Sequence, residues 1–132
     1  AVDSTRALLK EKGYQDRVEV FLDSHSNMDQ YAEENTVDCI TFNFGYLPGG
    51  DHNIFTTPAT SIPAIEKGLK LLKQGGLMSL CVYYGGDSGF EEKDALMEYF
   101  RTIDSKQYTV LITEFANRPN NPPIPVFILK QI

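Results

Sequence analysis

The sequence has little cysteine: two in 132 residues, too few for a disulfide scaffold. Cys39 and Cys81 each lie in a strongly apolar run, so both are expected to be reduced, buried core residues of a cytoplasmic protein. Positive charge is also scarce. Twelve Lys and Arg against 18 Asp and Glu give a formal net charge of -6. This argues against a protein that holds nucleic acid by bulk charge, because neutralising phosphates takes Lys and Arg. It leaves room for a nucleic-acid enzyme with a local basic patch. No apolar run approaches the roughly 20 residues that span a bilayer, so no membrane partner is expected. The opening AVDSTRALLK has no apolar h-region of a secretory signal. Two common fingerprints are missing as well. Gly85, Gly86 and Gly89 do not form G-x-G-x-x-G, which leaves a dinucleotide site unsupported. There is no G-x-S-x-G elbow of a Ser-His-Asp hydrolase.

What is present is an ordinary globular mix, 42% hydrophobic and 23% charged, at a length typical of one domain. Val2, Leu8 and Leu9 open a helical pattern that Gly13 stops. VEVFL, at 18–22, reads as a short strand, and 27–34 as a short polar helix or turn. Val37–Phe44 (VDCITFNF) reads as a second strand. A long loop runs from Gly45 to about Thr57, with Pro48-Gly49-Gly50 as its turn signal. Ile62, Ile65, Leu69 and Leu72 form one apolar stripe of a helix over 58–73. Pro63 there demands a late start capped by Thr60 or Ser61, or else a kink. Gly75-Gly76 is expected to end that helix. LMSLCVYY, at 77–84, is nearly all apolar and reads as a strand buried on both faces. Ser88-Gly89-Phe90-Glu91 matches a capping box, and Leu96, Phe100 and Ile103 give the following helix its buried stripe. The segments 108–114 and Ile124–Lys130 read as strands with no helix between them, hence as antiparallel neighbours. The alternation predicts an α/β fold, with a mostly parallel sheet flanked by helices and an antiparallel C-terminal strand.

Ligands of open parallel sheets bind beyond the carboxyl ends of the strands. Three such ends are legible: Asp23-Ser24-His25, the run from Asn43 to His52, and the run from Tyr83 to Gly89. Both histidines and most glycine clusters fall in them. Each feature also has a plainer reading. Asp23-Ser24 caps a helix, His25 is a satisfied polar residue, and Asp51 and His52 close the turn at Pro48–Gly50. Asp23, His25, Asp51 and His52 match no ligand spacing, so no metal is expected.

The stretch NFGYLPGGDHNIFT, beginning at Asn43, is specific. With it go Asp23-Ser24-His25, Leu71-Leu72-Lys73-Gln74-Gly75-Gly76, Tyr83-Tyr84-Gly85-Gly86 followed by Glu91-Glu92, and Asn121-Pro122-Pro123. Over essentially its whole length the chain resembles the bacterial family first labelled "putative rRNA methylase". Members of that family are associated with methylation of 5-aminomethyl-2-thiouridine at the tRNA wobble position. The resemblance implies a class I methyltransferase dependent on S-adenosyl-L-methionine, with a Rossmann-like sheet and tRNA as substrate. It also implies a Gly-rich loop after a first strand and an acidic residue after a second. Neither is found, so the chain is expected to be an N-terminally incomplete methyltransferase domain lacking its first two strands.

Carried over by position, Asp23, Ser24 and His25 lie beside the cofactor near its adenine, and Asn43 and Gly45 also border it. Asn43-Phe44-Gly45-Tyr46 occupies the place of N-P-P-Y in amino-group methyltransferases. The resemblance then has Asn43, with the backbone carbonyl of Leu47 or Pro48, aim an amine lone pair. Tyr46 stacks on the base, and Asp51 or His52 takes the amine proton. Lys67, Lys70, Lys73 and Arg118 are candidates for phosphate contacts, against a plainer reading as solvated surface. Two other functions fit the same fold: a non-catalytic fragment or interaction module, and a small-molecule methyltransferase. A sheet edge left open by missing strands would favour a homodimer, through that edge or the C-terminal strands.

Overall fold

Alternating side chains along four strands build one deeply buried sheet face and one open face. The structure, a computed structural model, describes residues 2–44, 57–84 and 89–131. Its elements are α1 (Val2–Lys12), a short 3-10 helix (His25–Gln30), β1 (Val37–Phe44), α2 (Pro58–Leu71), β2 (Leu72–Val82), α3 (Gly89–Thr102), β3 (Tyr108–Ile112) and β4 (Ile124–Lys130). The strands form one sheet in the order β1-β2-β4-β3. β1 and β2 are parallel, and β4 runs antiparallel to both β2 and β3. Three strands thus share one direction and β4 alone is reversed, the mostly parallel sheet that the alternation predicts. No helix among the described residues is long and apolar enough to cross a membrane.

The buried face carries Phe42 and Phe44 from β1, Met78, Leu80 and Val82 from β2, and Val126 and Ile128 from β4. Ala64, Ile65 and Leu69 of α2 and Leu96 and Phe100 of α3 complete this core. Burying each large side chain contributes roughly 1.5–3 kcal/mol against exposure. Gly68 lets α2 come close: a Cβ there would lie 2.7 Å from Met78 Cε and 3.4 Å from Ile40 Cδ1. One polar link crosses the core, where Ser61 Oγ donates to Glu92 Oε2 at 2.9 Å and ties α2 to α3. Lys130 closes the other end of α2. Its Nζ donates to the carbonyls of Leu69 (3.1 Å) and Leu72 (2.7 Å) and to Asn35 Oδ1 (2.8 Å).

The second face holds Cys39, Thr41 and Asn43 of β1, all exposed, in register with Leu77, Ser79 and Cys81 of β2. Leu129 and Leu111 on the same face remain 40% and 50% exposed. This corrects two expectations. Cys39 is exposed and Cys81 only half-buried, and β2 is buried on one face rather than two. The apolar run predicts cover on both faces, whereas among the described residues only the face of Met78, Leu80 and Val82 is fully buried.

Three boundaries also differ. The segment 18–22 forms no strand and belongs to no sheet. A strand needs a neighbour to take its backbone hydrogen bonds, and here Arg6 Nη2 donates to the Val20 carbonyl at 3.1 Å in place of a strand. Helix α2 begins early at Pro58, with Thr57 at its N-cap, so Pro63 sits inside it. Lacking an N–H, Pro63 leaves the carbonyl one turn back without its helical donor. The same helix ends at Leu71, before Gly75-Gly76. Val37 pairs with Leu72 while Cys39 pairs with Leu77, so the residues between bulge out of β2, and Gly75 supplies the positive φ of 80° that the bulge uses.

Candidate functional site

The carboxyl end of β1 is an aromatic shelf. Phe42 and Phe44 stack with ring centroids 4.9 Å apart, and the His25 ring meets both edge-on, at 6.0 and 5.5 Å. His25 is brought there by the 3-10 helix that it begins. Ser24 is the N-cap: its Oγ accepts from the Ser26 N–H at 3.2 Å and lies 2.8 Å from Ser26 Oγ. Lys67 of α2 then holds the segment in place, donating to the Ser26 carbonyl at 2.6 Å and pairing with Asp29 at 3.3 Å.

Asp23 organises the same turn. Its Oδ1 accepts from the Ser24 N–H (2.8 Å) and Asn27 Nδ2 (2.7 Å), and its Oδ2 from the Tyr31 hydroxyl (2.5 Å). The Tyr31 bond, followed by those of Asn27 and Ser24, holds the carboxyl below the usual carboxylate range. The Tyr31 hydroxyl is raised in return by Asp23. Tyr31 also stacks on Phe21 at 4.1 Å, which joins the 18–22 segment to this turn.

Burial pushes the His25 imidazole below its ordinary 6.5, so it is neutral near pH 7. Folded His25 therefore resists a proton that the unfolded chain accepts. The resulting linkage is constant above about pH 6.5 and destabilises the fold as pH drops through that value. His25→Gln is expected to remove this part of the pH dependence. Urea midpoints measured from pH 5 to 8 should show the wild type losing stability faster than the variant below about pH 6.5; parallel curves throughout would refute it.

Asn43 shares the strand end but not the face. It lies on the open side of β1, exposed, opposite Cys81, and has no side-chain hydrogen-bond partner among the described residues. The structure thus brings Ser24 and His25 together, with Asp23 supporting them, and sets Asn43 on the other side of the same strand. Gly45, Tyr46, Leu47, Pro48, Asp51 and His52 lie outside the described residues, as does Ser88 of the capping box.

Sequence reasoning missed a cavity of about 530 Å³ on the same rim. Tyr84, Lys93, Arg101, Glu114, Phe115 and Arg118 are among its lining residues. The Tyr83 N–H donates to the Phe44 carbonyl at 2.9 Å, which sets this cavity beside the end of β1. One signal was available: Lys93, Met97 and Arg101 recur every four residues, one face of a helix. Arg118 joins them only through the fold.

Comparison with known proteins matches this description. A protein of Arabidopsis thaliana named tRNA (mnm(5)s(2)U34)-methyltransferase, chloroplastic, is 34% identical over 99% of this chain. The chain spans 49% of that protein's length, about half. A crystal structure of a "putative rRNA-methylase" from Clostridium thermocellum superposes with a TM-score of 0.93 and 44% identity, over 98% of this chain and 69% of the other. A putative methyltransferase from Streptococcus mutans, solved in complex with SAH, gives a TM-score of 0.84 and 35% identity, over 96% and 68%. The family model described as "Putative rRNA methylase" matches residues 1–129, and the chain belongs to that family.

Proposed function

We propose that this chain is part of an S-adenosyl-L-methionine-dependent RNA methyltransferase whose acceptor is the 5-aminomethyl group of a wobble uridine in tRNA. The observation that supports this most strongly is the match of 99% of the chain to a relative named for that reaction. The S. mutans relative, solved with SAH, supports the cofactor. Two free cysteines fit a reducing compartment such as the cytoplasm. The open edge of β1 is where further strands of a longer chain, or a second copy, would pair.

The residues at the end of β1 suit such a cofactor. His25 offers a half-buried neutral ring, and the paired Ser24 and Ser26 hydroxyls offer donors to an adenine nitrogen. Asp23 is already engaged by three donors, so its part is to hold the turn. When bound, S-adenosyl-L-methionine supplies a methyl group on a sulfonium, an activated leaving arrangement. Asn43 Oδ1 and the backbone carbonyl of Leu47 or Pro48 would accept hydrogen bonds from the acceptor amine and so orient its lone pair for transfer. Positioning of this kind supplies a large part of such a rate enhancement. Asp51 or His52 would take the proton that the amine nitrogen gives up on accepting the methyl group. Tyr46 stacks on the base.

Calorimetry with S-adenosyl-L-methionine separates the chain from the enzyme. The folded 132-residue chain is expected to show no one-site binding. A longer chain that contains it and carries a Gly-rich loop should bind one equivalent and add a methyl group to aminomethylated tRNA, read by mass spectrometry of the nucleosides. Saturable binding by the short chain would refute its incompleteness. A longer chain that binds cofactor but methylates no RNA would refute the substrate.

A further inference from the structure

We propose that the cavity between α3 and the 113–123 connection grips the RNA strand, holding a backbone phosphate among Lys93, Arg101 and Arg118 and a base against Tyr84 or Phe115. The proposal rests on the RNA-methyltransferase reading above. The chain has twelve Lys and Arg and a net charge of -6, so a phosphate can be held only where cations are gathered and left free. Three of the twelve line this one cavity, against Glu114 as its acidic lining residue.

Two of the other lysines that the sequence suggests are committed elsewhere, and the third, Lys70, is exposed on α2 and lines no part of this cavity. Lys67 is held by Asp29 and the Ser26 carbonyl, and Lys73 pairs with Asp38. Lys130 is spent on the end of α2. Arg101 and Arg118 have no hydrogen-bond or ion-pair partner among the described residues. Lys93 pairs only with its exposed neighbour Asp94, at 3.4 Å, and sits 5.4 Å over the Tyr84 ring. That arrangement presents a cation and an aromatic face together, as single-stranded nucleic-acid sites do.

Size and stiffness agree. A cavity of about 530 Å³ is larger than a lone phosphate needs and has room for a nucleotide. Part of its wall is Pro122 and Pro123, whose φ is fixed by the ring. Tyr84, which lines the cavity, follows Tyr83, whose N–H donates to the Phe44 carbonyl at the end of β1.

The test is fluorescence anisotropy of a labelled oligouridine with this chain, without S-adenosyl-L-methionine, across a salt series. The triple variant Lys93→Gln/Arg101→Gln/Arg118→Gln is expected to weaken binding about tenfold or more. It should also lower the slope of log K against log salt by about 0.7, the worth of one neutralised phosphate on a single strand. A control with the same charge change, Lys10→Gln/Lys12→Gln/Lys106→Gln, should leave affinity and slope near wild type. Equal losses in both variants, or no loss in the first, would overturn the proposal. So would uridine monophosphate binding as tightly as the oligonucleotide, which would assign the cavity to a free nucleotide. The enzymatic reading fails separately: RNA held by the cavity with no methyl transfer from a longer chain refutes the activity and leaves the cavity standing. Methyl transfer at equal KM for RNA in wild type and triple variant refutes the cavity and leaves the activity.

Discussion

Asn43→Ala is expected to lower kcat for methyl transfer by about a hundredfold, with little change in KM for RNA and a melting temperature near wild type. The rate effect follows from geometry, because misplacing a reacting group by about an ångström can cost on the order of 10² in rate. A change confined to kcat is the mark of an interaction made in the transition state rather than in substrate binding. The intact stability follows from the structure: the Asn43 side chain is exposed on the open face of β1, away from the Phe42 and Phe44 core. Surface substitutions of this sort usually stay within about 0.5 kcal/mol. The measurement is single-turnover transfer from labelled S-adenosyl-L-methionine, alongside thermal unfolding, in whichever chain containing this sequence is active. Wild-type turnover would remove Asn43 from the chemistry. A large fall in melting temperature would make it a structural residue instead.

Lys130→Met is expected to have the opposite profile, costing stability of about 2–3 kcal/mol and lowering the melting temperature by roughly 6–12 °C. The ammonium satisfies two carbonyls at the end of α2 and the side-chain oxygen of Asn35, whose φ of 60° is itself uncommon for a residue with a Cβ. It also places a positive charge at the negative end of a helix. Methionine keeps most of the stem's packing, so the loss reports the charge and its hydrogen bonds. Tyr108 limits the damage, because its hydroxyl donates to the same Leu69 carbonyl at 3.2 Å. Thermal and urea unfolding check the figure. A shift below about one degree would show that water replaces the ammonium at no cost.

How legible each part was depends on what the residues themselves encode. Val37–Phe44 and Ile124–Lys130 were readable to the residue, because β-branched and aromatic runs with clear flanks leave little choice. Gly75-Gly76 was misread because a glycine with positive φ serves equally as a helix terminator or a bulge, and only the pairing of β1 with β2 decides. VEVFL has a strand's composition but no partner in the sheet, and composition cannot supply one. Cys39, expected to be buried from its apolar neighbours, is exposed, because those neighbours do not specify the layer above a face. At the site, Asp23-Ser24-His25 stood out as a cluster, yet its internal bonding to Asn27 and Tyr31 is a matter of three-dimensional closure. Arg118 meets Lys93 and Arg101 only because β4 turns back between β2 and β3.

That reversed strand also sets a timetable for synthesis. β4 is made after β2 and β3, yet it is the strand that joins them. At about 5–20 residues per second, a ribosome needs on the order of seconds to go from the end of β2 to β4. Through that interval the nascent chain presents an unpaired β2 edge and a β3 with no neighbour. The sheet therefore closes from its middle, last and at once, and a translational pause before Ile124 lengthens the period in which a chaperone must shield it.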